Sequence, residues 1–240
     1  MKLLTTGNPK TQKSVEFGYL TGILHLAPYD SSGYQVCSHS TESCRTLCLY
    51  HQGRGRMTKV QEARLRKTKQ FFKERSVFME QLEKDITSIE RKAVKNGLLP
   101  AIRLNGTSDI PWEGIKPSVF DAFPDVQFYD YTKIPGRKKV HDIENYHITF
   151  SGDGENVISC EYMLRNNFNV AIVWPLGKDE PKPTEWRGYP VVDGDVHDLR
   201  FLDPDEGGHI IGLRLKGANA QTLADYRWNK IQSSLVMPLT

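Results

Sequence analysis

Between Thr58 and Asn96 the apolar residues Phe71, Phe78, Leu82, Ile86, Ile89 and Ala93 recur at three-, four- and seven-residue steps. That period puts them on one face and predicts a long amphipathic helix ending at Gly97. Elsewhere the apolar runs are short, as strands require. Residues 17–27, Leu99–Asn105, Val126–Lys133, Tyr146–Ser151, Asn169–Trp174, Tyr189–Asp195 and Gly208–Lys216 all read as strands. Asn169-Val-Ala-Ile-Val-Trp is almost continuously apolar, the pattern of a strand covered on both faces. Short helices are predicted at 118–123 and near 156–166, and the last twenty residues read as a short helix and tail.

Strands alternating with helical or loop segments predict a parallel α/β architecture. The apolar runs finish in polar groups: His25, then Asn105 and Asp109, then Asp130 and Lys133, then Ser151, then Asp193 and Asp195, then Lys216. In a β/α barrel such groups converge at the carboxyl ends of the strands. Six or seven visible strands favour a partial or irregular TIM-like barrel, in one domain spanning 1–240, with an open doubly wound sheet as the alternative.

A chain of 240 residues with 38% hydrophobic and 25% charged content can bury a full core. No apolar run approaches the roughly eighteen residues of a membrane span, so no membrane partner is expected. The N-terminal apolar stretch is too short for a signal sequence, which makes the reducing cytoplasm of the host the expected compartment. The net charge of +3 says little, but its distribution says more. Arg54, Arg56, Lys59, Arg64, Arg66, Lys67, Lys69, Lys73 and Arg75 face only Glu62 and Glu74. Such a segment, 54–75, can bind phosphate backbones, or can simply be a solvated helix face.

The cysteines change the picture. Three of the four, Cys37, Cys44 and Cys48, fall within twelve residues as Cys-x6-Cys-x3-Cys, in the loop after the first strand. Gathered thiolates suit one soft metal centre. The reading adopted is a [4Fe–4S] cluster held by these three residues, with its fourth iron open. Zinc completed by His39 or His51 competes with it. A disulfide framework fits an odd clustered set badly, and unrelated core cysteines are the bland reading. Cys160, at the start of a helical segment, suits core packing as well as ligation.

Other chemistry lies at the strand ends. Asp109 could bind a cation, act as a base, or cap the segment that follows. Asp130 and Lys133 sit in Tyr129-Asp-Tyr-Thr-Lys, where only alternate side chains can face one site. Asp193, Asp195 and His197 have the composition of a divalent-metal or phosphoryl site. Glycine-rich dinucleotide, phosphate-loop, serine-elbow and zinc-deaminase motifs are all absent.

Several stretches resemble a family of small phage-encoded proteins abundant in mycobacteriophages. They are Thr6–Lys10, Gly22–Pro28, the cysteine loop with Gly53-Arg-Gly, Ala101–Ile110, Phe123–Lys133, Val192–Asp195 and Asp198–Pro204. The resemblance covers most of the chain; the cysteine loop belongs to the family pattern and Cys160 does not. A three-thiolate loop after the first strand of a β/α barrel is also similar to the radical S-adenosylmethionine enzymes. Those carry Cys-x3-Cys-x2-Cys, a different spacing, and no glycine-rich methionine-binding motif is visible here, so S-adenosylmethionine stays open as a ligand but is not predicted.

The expectation is thus a redox-capable iron–sulfur protein, doing reductive or radical chemistry if it is an enzyme. Cys37, Cys44 and Cys48 are its ligands, and Asn105, Asp109, Asp130, Lys133, Ser151 and Lys216 line the cavity. A small molecule at the open iron and a redox partner are the expected partners. The rivals are a zinc-stabilised nucleic-acid-binding protein using 54–75, and a metal-dependent hydrolase or nuclease at Asp193, Asp195 and His197.

Overall fold

The computed structural model describes residues 1–7, 12–204, 206 and 208–215; Lys216 and the expected C-terminal helix lie outside them. Nine strands form one mostly parallel sheet: β1 (Leu4–Thr5), β2 (Tyr19–Leu24), β3 (Leu99–Arg103), β4 (Gln127–Thr132), β5 (Tyr146–Gly152), β6 (Val170–Trp174), β7 (Glu185–Trp186), β8 (Tyr189–Asp193) and β9 (Ile210–Arg214). Their order is β1-β2-β3-β4-β5-β6-β9-β8-β7. From β2 to β6 each strand lies beside its sequence neighbour, without the reversal of order that marks a doubly wound sheet. The recorded pairings run from β1 to β7 and do not close a ring.

Two compact units divide the chain. The first comprises Met1–His39, Thr46–Asp130 and Arg137–His147; the second comprises Ser40–Arg45, Tyr131–Gly136 and the residues from Ile148 onward.

In the first unit β2 and β3 run parallel, with Tyr19 opposite Leu99 and Ile23 opposite Arg103. The crossover between them carries α2 (Thr58–Lys73) and α3 (Arg75–Lys95). The sequence predicted one helix here. The structure breaks it at Glu74, whose backbone leaves helical geometry at φ −134° and ψ 52°. The apolar stripe survives the break: Phe78, Leu82, Ile86, Ile89 and Ala93 are buried on α3, and Phe71 on α2 packs edge-on to Phe78 and Trp112. Gly22 lets α3 lie close on β2, because a Cβ there would stand 2.3 Å from the Ile89 Cδ1. The short strand β1 pairs antiparallel with β2. Asp85 on α3 also anchors β1, accepting the Leu3 and Leu4 amides.

In the second unit β6, β9 and β8 are parallel neighbours, and β7 returns antiparallel to β8. Helix α6 (Val157–Arg165) follows β5. It buries Cys160, Met163 and Leu164, and a Cβ on Gly152 would stand 2.8 Å from the Cys160 sulfur. Cys160 is therefore a core residue. Its thiol meets the Asn156 side chain at 3.3 Å, and burial pushes its pKa up to about 12.

Candidate functional site

Within the first unit, the carboxyl ends of β3 and β4 carry a buried polar network. Asp130 on β4 is fully buried. Its carboxylate accepts the Asn105 amide N–H at 2.6 Å, the Asn105 Nδ2 at 3.1 Å and the Tyr146 hydroxyl at 2.9 Å. Asn105 Oδ1 in turn accepts from the Ser108 hydroxyl, the Ile110 amide and the Trp112 indole, which ties down the turn after β3. Arg137 donates to both oxygens of Glu113 and to Tyr146, and lies 3.9 Å from Asp109. Asn105, Asp109 and Asp130 are thus brought together in one network. The Asp109 amide donates to Val36 O at 2.8 Å and its carboxylate faces Arg137.

Burial pushes the Asp130 pKa up to about 7, against the Asn105 and Tyr146 donors and the charges of Arg103 and Arg137. The native state then holds this proton more tightly than the unfolded chain, whose ordinary value is 3.8. The resulting contribution to stability is complete below the unfolded value and is lost as pH rises through about 7. Urea midpoints of wild type and Asp130→Asn, compared from pH 4 to 8, are expected to show that fall in the wild type alone. Parallel pH profiles would contradict the assignment.

Cys37 and Cys48 belong to the same unit. Each is partly exposed, as is Cys44. The Cys37 sulfur accepts the Tyr29 amide at 3.3 Å and lies 4.0 Å from the carbonyl oxygen of Thr107, in the turn after β3. Tyr29 holds φ at +39°, a conformation that side chains disfavour and that folded proteins keep mainly where surroundings enforce it. Its hydroxyl meets His51 Nε2 at 3.2 Å, and the His51 ring packs edge-on to Tyr50. The Arg64 guanidinium lies 5.6 Å from the Tyr50 ring centre. Arg64 also acts on Cys48, lowering the thiol's pKa together with the Tyr50 amide, although burial wins and raises it. A chain of contacts thus leads from Cys37 through Tyr29, His51 and Tyr50 to Arg64, which interacts electrostatically with Cys48.

Cys44 lies in the second unit, on the short helix α1 (Glu42–Thr46). Its amide donates to the Thr41 hydroxyl at 3.1 Å, and that hydroxyl donates to Asp153 at 2.7 Å. The Glu42 and Ser43 amides and the Ser43 hydroxyl all donate to the Glu155 carboxylate. The Cys44 segment is therefore pinned to the turn after β5. Lys133 secures the same turn, with its ammonium 2.5 Å from Asp153 and 2.8 Å from the Ser151 carbonyl. Lys133 and Ser151 come together as expected, but Ser151 contributes its backbone. Among the described residues there is no group of three or more His, Cys, Asp or Glu side chains that could hold a metal ion.

The acidic loop after β8 is ion-paired. Asp193 and Asp195 both bind Lys182, Arg214 adds a 3.6 Å contact to Asp195, and His197 lies 3.9 Å from Asp203. The basic segment is also more divided than its composition suggests. Arg64 and Lys67 are buried on α2, and Lys67 donates to the Leu3 carbonyl at 2.5 Å. Arg54, Arg56, Lys59, Arg66, Lys69 and Lys73 remain on the surface.

The gene product 88 family profile matches residues 2–230. The chain belongs to this family. Gene product 88 is a phage-protein family, in agreement with the resemblance of the individual stretches. No curated protein and no solved structure matches the chain. No helix among the described residues is long and apolar enough to cross a membrane.

Sequence reasoning passed over Arg137, Tyr146 and Asp153 in this gene product 88 protein, and named Arg64 only as one of the basic residues of 54–75. Arg64 and Arg137 sit in basic runs that read as solvated, and Tyr146 opens an ordinary strand. Asp153 stands in Gly-Asp-Gly, which reads as a turn. Nothing local distinguishes these residues from surface ones.

Proposed function

We propose that this phage protein binds a redox-active [4Fe–4S] cluster in the loop after β2, with Cys37, Cys44 and Cys48 as its thiolate ligands. The observation that carries the reading is three partly exposed thiols within twelve residues, whereas the fourth cysteine is buried as core. Donor chemistry supports it. Three thiolates and the cluster's sulfides bring negative charge, and Arg64 beside Cys48 has two guanidinium nitrogens, Nε and Nη1, that are buried without a hydrogen-bond acceptor. A bound cluster supplies one-electron chemistry, and three protein thiolates leave one iron for a small molecule. The chain's own part is to supply the thiolates, to pin Cys44 through Thr41 and Asp153, and to hold Cys37 against the turn after β3.

Anaerobic purification with iron, sulfide and zinc quantified per chain tests this. The expected result is about four irons and four sulfides, with cluster absorption in the visible. Cys44→Ala is expected to lose most of both, and Cys160→Ala to keep them. One zinc without sulfide, or no metal in anaerobically reconstituted wild type, would overturn the proposal.

A further inference from the structure

Arg64 is the most unusual polar group in the thiol-bearing unit. It is 9% exposed, on the inward face of α2, and its Nε and Nη1 make no hydrogen bond. Its neighbours are Tyr50, whose ring it approaches at 5.6 Å, and Cys48, which shares an electrostatic interaction with it. Among the described residues no carboxylate is paired with it. Burying a guanidinium with unsatisfied donors is costly, so the site favours an arriving negative charge. Cys48 lies within electrostatic reach of it, two residues before Tyr50, and its sulfur becomes anionic on binding metal.

We infer that Arg64 forms a built-in anion site beside Cys48, the counter-cation of whatever anionic group is held there. On the reading proposed above, that group is the thiolate-bound cluster. A fixed positive charge beside such a centre stabilises its reduced, more negative state, so Arg64 raises the reduction potential. Arg64 is in this sense a positioning and charge-setting residue, with no part in any bond made or broken. The Tyr50 ring lies 5.6 Å from the guanidinium, and the Thr68 hydroxyl, which donates to the Arg64 carbonyl at 2.9 Å, holds the helix turn below.

Two readouts separate this inference from the cluster reading. In the metal-free chain, the alkylation rate of Cys48 is followed by peptide mapping with anionic iodoacetate and neutral iodoacetamide. The ratio of the two rates cancels the thiolate fraction and reports the local field. Arg64→Gln is expected to lower that ratio at least threefold, and Arg64→Lys to restore part of it. In wild type the ratio is expected to fall as salt rises, which needs no folded variant. In the reconstituted chain, Arg64→Gln is expected to lower the potential by about 59 mV or more, tenfold in a one-electron equilibrium. A salt-independent ratio, or one unchanged in a folded Arg64→Gln, overturns the anion site whatever metal is present. A ratio that falls in a chain that takes up no iron upholds the anion site and removes the cluster.

Discussion

Arg137→Met is expected to lower the unfolding free energy by about 3–5 kcal/mol, the largest effect of any single change in the first unit. Arg137 is almost fully buried, and both its carboxylate neighbours, Glu113 and Asp109, are nearly so. Met fills a similar volume but leaves the Glu113 carboxylate dry and unpaired, and removes the donor that meets Tyr146 at 3.0 Å. Breaking one side of a buried pair costs far more than the pair contributes against an apolar replacement. The double variant Arg137→Met/Glu113→Gln is therefore expected to recover part of the loss. Urea unfolding followed by near-ultraviolet circular dichroism measures both. A single variant within about 0.5 kcal/mol of wild type, the range of ordinary surface changes, would show that the network is not structural.

Asp153→Ala is expected to cost a comparable amount in the second unit and also to loosen the Cys44 segment. The carboxylate accepts from Lys133 at 2.5 Å, from the Thr41 hydroxyl at 2.7 Å and from the Glu155 amide at 2.9 Å. Its loss strands a buried ammonium beside the Ser151 carbonyl. It also frees Thr41, whose hydroxyl receives the Cys44 amide. Lys133→Met breaks the ion pair but leaves Thr41 bonded to Asp153. Both variants should be destabilised by about 3–5 kcal/mol, while only Asp153→Ala should speed alkylation of Cys44 in the native chain. Equal Cys44 rates in the two variants would mean that Thr41 and Asp153 do not hold the segment. If faster alkylation of Cys44 comes with reduced iron uptake, the tether belongs to cluster binding and not to folding alone.

Local pattern determined much of the secondary structure. The runs at 99–105, 126–133, 146–151 and 169–174 became β3, β4, β5 and β6, and the segments near 118–123 and 156–166 became helices. Hydrophobic period is a property of neighbours in the chain, so a short window suffices to read it. The edge strands β1 and β7 escaped, because two residues carry no period. The break at Glu74 escaped too, since the apolar stripe continues on either side of it.

The cysteine loop, the division of the basic segment and the polar network mark where sequence alone stops. That three thiols share twelve residues is plain in the sequence, and so is the family likeness it carries. Whether a charge lies in water or in the core depends on what packs against it. Arg64, Lys67 and Arg137 look like their solvated neighbours Arg66, Lys69 and Lys138, and only the packing of α2 and the turn before β5 turns them inward. Asp130 meets Asn105 and Tyr146 because parallel pairing places the end of β3 beside β4, across 25 and 16 residues of chain. Residue type and local period come from the sequence, whereas burial and partnership come from strands and helices brought together across the chain, and those set the charge and the proton affinity of every group at the site.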